Sequence, residues 1–170
     1  MEGGDKWLVV YVSSRQEKKV SAYLAKRKVE NYLPMVRLLR QWSDRKKFVD
    51  FPMFPGYLFV RPTAAQYDDV ITIPGVVNYL KFSRELAVVT DKEIEIIRTI
   101  ESSGYYAENI PMPSDYDLGE KVIVKEGPLR GQTGILMRKD KEDIFLILFE
   151  TIGQSLKVKI PYQMLGKVDE

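Results

Sequence analysis

Apolar residues in the first hundred positions follow two periods, one typical of helices and one typical of strands. Three apolar stripes with i, i+3, i+4 spacing each follow a Ser/Thr-x-x-Glu/Gln sequence, the capping box that begins many helices. These boxes start at Ser14, Thr63 and Thr90, so a helix is predicted after each of them. Short apolar runs between the helices predict strands. The predicted strands are Trp7–Val12, Tyr57–Val60, Val76–Phe82 and Leu86–Val89.

A different pattern follows residue 101. Residues 102–117 contain Ser, Gly, Pro, Asn and Asp with no clear period, which indicates a linker. Beyond it, Leu156, Val158 and Ile160 alternate with lysines, the period of a strand. Residues 118–170 contain about five such short strands, which predicts a small all-β barrel with few exposed strand edges. We therefore predict an α/β domain over residues 1–104, a linker over 105–117 and a second domain over 118–170.

Charge is distributed unevenly along the chain. The net charge is only +2, but residues 1–60 carry 12 basic and 6 acidic side chains, while residues 61–117 carry 5 and 10. Residues 118–170 are nearly balanced, with 9 basic and 8 acidic side chains. A basic first third suggests a polyanionic partner, although an ordinary solvated surface would show the same charges.

The chain of 170 residues contains neither His nor Cys. This excludes a Ser-His-Asp triad, a cysteine nucleophile, a Cys/His zinc site and a disulfide. An enzyme would have to rely on carboxylates, Lys, Ser or Tyr, and no spaced carboxylate pair can be identified. We therefore expect no catalytic activity, no cofactor and no metal. No signal-peptide-like segment or long apolar run is present, so a cytoplasmic protein without a membrane segment is expected.

Two motifs carry a family resemblance. Residues 54–60 read FPGYLFV, an aromatic strand entered through a Pro-Gly turn, and resemble the FPGY signature of the NusG family of transcription elongation factors. Residues 119–135 read GEKVIVKEGPLRGQTGI and resemble the KOW motif that follows it in that family. The resemblance covers nearly the whole chain. It implies an α/β (α+β) NGN-type domain, in which three helices flank a sheet, linked to a small SH3-like KOW barrel.

The resemblance also implies a docking surface for RNA polymerase. Family members bind the clamp helices of the largest polymerase subunit through an aromatic depression. The positions that match it are Trp7, Phe54, Pro55, Gly56 and Tyr57, with Tyr79 and Leu80 at two further apolar docking positions. Aromatic anchors around a rigid turn suit such a role, yet each of these side chains could instead belong to the domain core.

Basic residues at two places are candidates for nucleic-acid contact. Some specialised members of the family read the non-template DNA strand with basic residues of the NGN domain. Arg15, Lys18 and Lys19 lie at the start of the first predicted helix, and Arg45, Lys46 and Lys47 lie where the family has a hairpin tip. Exposed single-stranded DNA is a natural partner for these cations, although a hairpin tip can carry charge for solubility alone.

In the KOW unit, Gly127, Pro128, Gly131 and Gly134 match the turn residues of the motif and are expected to act structurally. The family's KOW domain contacts a small-subunit ribosomal protein or a termination factor through a position that is usually aromatic. Ile152 occupies that position here. This substitution leaves the identity of the KOW partner open.

The function implied is that of a monomeric elongation and antitermination factor that increases polymerase processivity without catalysis. Residues 159–165 resemble those of specialised paralogs that act on long operons, such as surface-polysaccharide operons, and this interpretation is preferred. A housekeeping elongation factor and a ribosome- or RNA-associated KOW protein are the alternatives.

Overall fold

The computed structural model describes residues 6–113, 119–139 and 142–168. Contacts divide the chain into two compact units, residues 1–35 with 51–94 and residues 36–50 with 95–170. Within the described ranges, none of the helices is long and apolar enough to cross a membrane. The elements in chain order are β1 Trp7–Val12, α1 Glu17–Lys26, β2 Glu30–Tyr32, β3 Met35–Gln41, β4 Lys46–Pro52, β5 Tyr57–Arg61, α2 Tyr67–Val70, β6 Val76–Tyr79, β7 Lys81–Phe82, β8 Glu85–Leu86, β9 Val88–Val89, α3 Asp91–Ser103, β10 Ala107–Ile110, β11 Glu120–Val124, β12 Thr133–Lys139, β13 Glu142–Phe149, β14 Gln154–Val158 and β15 Leu165–Lys167.

The sheet of the first unit is antiparallel, with strands in the order β2-β5-β1-β6 and with β9 also paired to β1. Alternation along β1 gives the sheet two distinct faces. Leu8 and Val10 lie on the face that packs with Val20 and Leu24 of α1 in one hydrophobic cluster. Trp7, like the other odd-numbered residues of β1, lies on the opposite face.

The capping boxes of α2 and α3 form, though to different extents. At α3, the Thr90 hydroxyl accepts the Glu93 N–H, and the Glu93 carboxylate accepts the Thr90 N–H. At α2, only the Gln66 side chain takes part, by accepting the Thr63 N–H. This helix has a single turn, Tyr67–Val70, and is therefore shorter than its apolar stripe suggested.

The predicted box at Ser14 is wrong. Helix α1 begins at Glu17 after Gln16, and no side chain caps it. The Gln16 N–H instead donates to the Ser13 carbonyl, and Arg15 adopts a left-handed conformation with φ 64°. Glu17, which a capping box would direct back along the chain, bonds elsewhere.

The second unit contains an antiparallel sheet with strands in the order β10-β14-β13-β12-β11-β15. Its first strand, β10, comes from the segment predicted to be a linker, residues 105–117. Ala107 is buried, and the Asn109 amide donates to Gln154 Oε1 and to the Ser155 carbonyl, at 2.9 and 3.1 Å. These contacts add four residues to the sheet although their sequence has no strong strand period. Residues 114–117 of the predicted linker lie outside the described residues.

The pattern of apolar residues does not predict the β3–β4 hairpin. The Trp42 N–H donates to the Arg45 carbonyl at 2.8 Å and closes its tip. Leu39 and Phe48 are more than half exposed, so the apolar residues of the hairpin do not mark a buried face. The helices and antiparallel sheet of the first unit, together with the separate antiparallel sheet of β10 to β15, nevertheless confirm the predicted fold class of mixed helix and sheet.

Candidate functional site

The FPGY turn is held in place by backbone hydrogen bonds. The Tyr57 N–H donates to the Phe54 carbonyl at 3.0 Å, and the Val12 N–H donates to the Gly56 carbonyl at 2.9 Å. Gly56 has φ +82°, a conformation that other residues adopt only with strain. The sequence Pro-Gly therefore sets the shape of the turn, and β1 fixes its position.

Exposed side chains of this turn and of β1 form one small surface. Pro55 is exposed, Tyr57 is half-buried, and 38% of Tyr11 is exposed. Tyr11 and Tyr57 are paired in register across β1 and β5, and their ring centroids lie 5.2 Å apart. We call Tyr11, Pro55, Gly56 and Tyr57 the FPGY face. Sequence reasoning missed Tyr11, although it lies on the same face of β1 as Trp7.

Two of the predicted docking residues are buried. Trp7 is 4% exposed and Phe54 is 1% exposed, so the core alternative holds for both. The Phe54 ring packs edge-on against Phe59 with centroids 5.9 Å apart. The Arg61 guanidinium lies 5.8 Å from the centroid of the Trp7 ring. Both side chains therefore present almost no surface to a partner.

Tyr79 does not join the FPGY face. It belongs to the hydrophobic cluster on the other face of the sheet, where its ring stacks on Tyr67 at 4.4 Å. Its hydroxyl donates to the Tyr67 carbonyl at 2.8 Å, and burial, with smaller effects of Tyr67 and Asp68, raises the pKa of Tyr79. Leu80 is also buried, and its N–H donates to the Val9 carbonyl. Neither side chain is available to a partner.

The two groups of candidate nucleic-acid residues are exposed. Arg15, Lys18 and Lys19 surround the start of α1. The hairpin cations, which we define as Arg45, Lys46 and Lys47, lie at the tip of the β3–β4 hairpin and at the start of β4.

Aromatic side chains accompany the hairpin cations, and sequence reasoning missed them. Trp42 is 46% exposed and Phe48 is 59% exposed. The Arg45 guanidinium lies 5.7 Å from the Trp42 ring centroid, and the Arg37 guanidinium lies 5.8 Å from that of Phe48. The interleaving of aromatic and basic residues over positions 37–48 was the available signal. Cations beside exposed rings can contact both phosphates and bases.

The KOW glycines have two different structural roles. Gly127 and Gly131 have φ +85° and +88° and lie with Pro128 in the turn between β11 and β12. The Gly131 N–H donates to the Val124 carbonyl at 2.8 Å and closes this turn. Gly134 lies in β12, where an added Cβ would overlap the carbonyl oxygen of Leu146 and the ring of its neighbour in β13. It permits a close approach of two strands.

Ile152 is not placed to contact a partner. It is 1% exposed, at the end of the 3₁₀ turn Glu150–Ile152. An aliphatic side chain at this position packs into the interior of the unit, while the neighbouring Thr151 is exposed. Across the described ranges, no group of three or more Asp or Glu side chains is placed to hold a metal ion.

Comparison with known proteins agrees with the two motifs. The family model described as transcription termination factor nusG matches residues 5–98. The chain is 24% identical over 176 residues to the transcription termination/antitermination protein NusG of Rickettsia bellii, covering 96% of this chain and 90% of that protein. It is 22% identical to the NusG of Borreliella burgdorferi, over 95% and 98% of the two chains.

A solved structure supports the fold. The structure reported as "Domain interaction in Thermotoga maritima NusG" is 20% identical, has a TM-score of 0.57, and is matched over 97% of this chain and 98% of that one. At this identity the match bears on the fold alone. Because the family model covers more than half of the residues, the chain belongs to the NusG family of transcription termination and antitermination factors.

Proposed function

We propose that this protein binds the clamp helices of the largest RNA polymerase subunit through its FPGY face and thereby increases the processivity of transcription. The observation that carries the proposal is the pairing of the exposed Tyr11 with the half-buried Tyr57 beside the rigid Pro55-Gly56 turn. Tyrosine side chains supply a large contact area at a low entropic cost, and a preformed turn reduces that cost further.

The mechanism requires binding energy alone. A ligand that binds one conformation of a protein more tightly shifts the population toward that conformation. Contact with the clamp would favour the closed, processive state of polymerase, so no catalytic residue is needed. The factor would act in the bacterial cytoplasm, where transcription takes place, and as a monomer.

The hairpin cations and the cations at the start of α1 are proposed to contact the non-template DNA strand. Arg15, Lys18 and Lys19 are exposed in the unit that carries the FPGY face, and the hairpin cations lie beside exposed aromatic rings. Phosphate contacts would give affinity with little dependence on sequence.

The KOW domain, residues 118–170, is proposed to recruit a further protein, either a small-subunit ribosomal protein or a termination factor. Because Ile152 is buried, we expect exposed residues elsewhere in this domain to make this contact.

Specialised action on particular long operons, rather than housekeeping elongation, is proposed from the resemblance of residues 159–165 to specialised paralogs. Transcription through terminators, with and without the protein, on operon-specific and generic templates would separate these roles.

Tyr57→Ala tests the docking proposal. Removing a central aromatic anchor should weaken binding to RNA polymerase by at least about 2 kcal/mol, or about 30-fold, while the half-buried position limits the loss of stability. The matched control is Tyr162→Ala, which removes an exposed tyrosine from the second unit. Equal affinities of the Tyr57→Ala variant and the parent protein would show that the docking surface lies elsewhere. Recovery of ribosomal RNA without polymerase from a pull-down would favour the ribosome-associated alternative.

A further inference from the structure

Glu17 is a buried acidic residue at the start of α1. It is only 6% exposed, and its Oε1 accepts the N–H of Gly56 at 3.1 Å. The two residues are 39 positions apart in sequence, so this contact joins the first turn of the helix to the FPGY turn. Burying a carboxylate costs free energy unless it is hydrogen-bonded, and a favourable helix dipole offsets part of that cost.

The peptide groups around Gly56 are held from two directions. Its carbonyl accepts the N–H of Val12 in β1, and its N–H donates to Glu17 in α1. Glycine loses more backbone freedom than any other residue when it is fixed, so a Pro-Gly turn without these bonds would sample several shapes. Tyr57 follows directly in sequence and would move with the turn.

We propose that Glu17 is a positioning residue that holds the FPGY turn in its binding shape and so presents Tyr57 to the partner. The proposal rests on the docking function proposed above. It also explains why Glu17 does not complete a capping box with Ser14, because its carboxylate bonds the Gly56 N–H and not a backbone N–H of the preceding residues. A turn fixed before binding avoids the ordering cost at the moment of association.

A simpler role would be electrostatic stabilisation of α1 by a negative charge in its first turn. The two roles respond differently to Glu17→Gln. Glutamine keeps an oxygen acceptor of the same reach but has no charge, so it can bond the Gly56 N–H without stabilising the helix dipole. Glu17→Ala removes both interactions. Glu93→Ala is the matched control, because it removes the capping glutamate of α3 and leaves Gly56 unchanged.

The experiment uses the full chain and two measurements, hydrogen exchange of the Gly56 amide by NMR and affinity for RNA polymerase. Glu17→Ala should expose the Gly56 amide to exchange and weaken polymerase binding about tenfold, equivalent to about 1.4 kcal/mol. Glu17→Gln should keep the protection and bind within about threefold of the parent, a change of less than 1 kcal/mol. Glu93→Ala should change neither measurement.

Three results would overturn the assignment. The first is unchanged protection of the Gly56 amide in Glu17→Ala. The second is that Glu17→Ala binds RNA polymerase as tightly as the parent protein while Tyr57→Ala does not bind. The FPGY face would then be the docking surface, but Glu17 would not be needed to position it. The third is an equal loss of affinity in Glu17→Gln and Glu17→Ala, which would indicate the helix-charge role. The docking proposal fails by a different result, which is normal binding of RNA polymerase by Tyr57→Ala, so the two failures can be distinguished.

Discussion

Replacing Phe54 by Ala should destabilise the first unit, because the structure places this side chain in the core and not on the docking surface. Phe54 is 1% exposed and packs edge-on against Phe59 with centroids 5.9 Å apart. Removal of a buried phenylalanine ring typically costs about 3–5 kcal/mol, since it loses transfer energy and leaves a cavity. Against a typical stability of about 5–15 kcal/mol, this loss is a large fraction of the total.

Urea denaturation followed by tryptophan fluorescence would measure this loss. A Trp42→Phe background leaves Trp7, which is 4% exposed in the first unit, as the single reporter. With a slope of about 1–3 kcal/mol per molar urea, the midpoint should fall by about 1 M or more. Pro55→Ala is the control, and should lose no more than about 1 kcal/mol because Pro55 is exposed and the change acts mainly on the unfolded chain.

An unfolding free energy within about 0.5 kcal/mol of the parent would refute the core placement of Phe54. Loss of stability must be distinguished from loss of the docking surface. A Phe54→Ala variant that fails to bind polymerase would be explained by unfolding, whereas Tyr57→Ala tests the surface itself. Binding by Phe54 variants should therefore be interpreted only beside their stability.

Three further predictions follow from the contacts of single residues and of the hairpin. Tyr79→Phe should cost about 1–2 kcal/mol in thermal or urea unfolding, because the Tyr67 carbonyl loses its donor, and polymerase affinity should not change; weakened binding at unchanged stability would return Tyr79 to the docking surface. Gly134→Ala should destabilise the second unit by about 1–3 kcal/mol, since the added methyl group would overlap the Leu146 carbonyl. A thermal unfolding scan that shows no loss of stability would contradict the close approach of the two strands. The logarithm of the affinity for single-stranded DNA falls linearly with the logarithm of the salt concentration, and changing the three hairpin cations to Gln should reduce the magnitude of this slope by roughly 2, at about 0.7 per phosphate contact. An unchanged slope would show that these cations do not contact the DNA.

Local sequence signals predicted the elements whose apolar residues face a core. Strand β1 has the bounds that its run of apolar residues indicated, and the capping box of Thr90 and Glu93 forms as expected. The hairpin was not predicted from periodicity, because Leu39 and Phe48 are exposed. The periodicity of apolar residues reveals elements that bury one face, and this surface hairpin buries few of its side chains.

The candidate site could be predicted in position but not in detail. The FPGY motif located the correct turn, but sequence alone could not separate Phe54, which points into the core, from Tyr57 on the surface. Tyr11 and Glu17 come from other segments and reach the turn only through strand register and a hydrogen bond across the fold. Such contacts depend on tertiary structure and leave no local pattern.

Site-specific photo-crosslinking tests directly whether Tyr57 lies against the clamp helices of RNA polymerase. A benzophenone amino acid would replace Tyr57 in the full chain, and the products with RNA polymerase would be mapped by mass spectrometry, with the same substitution at Tyr162 as the control. We expect crosslinks from position 57 to the clamp helices of the largest subunit and none to those helices from position 162. Crosslinks from position 57 only to another polymerase surface, or no polymerase crosslink at all, would contradict it.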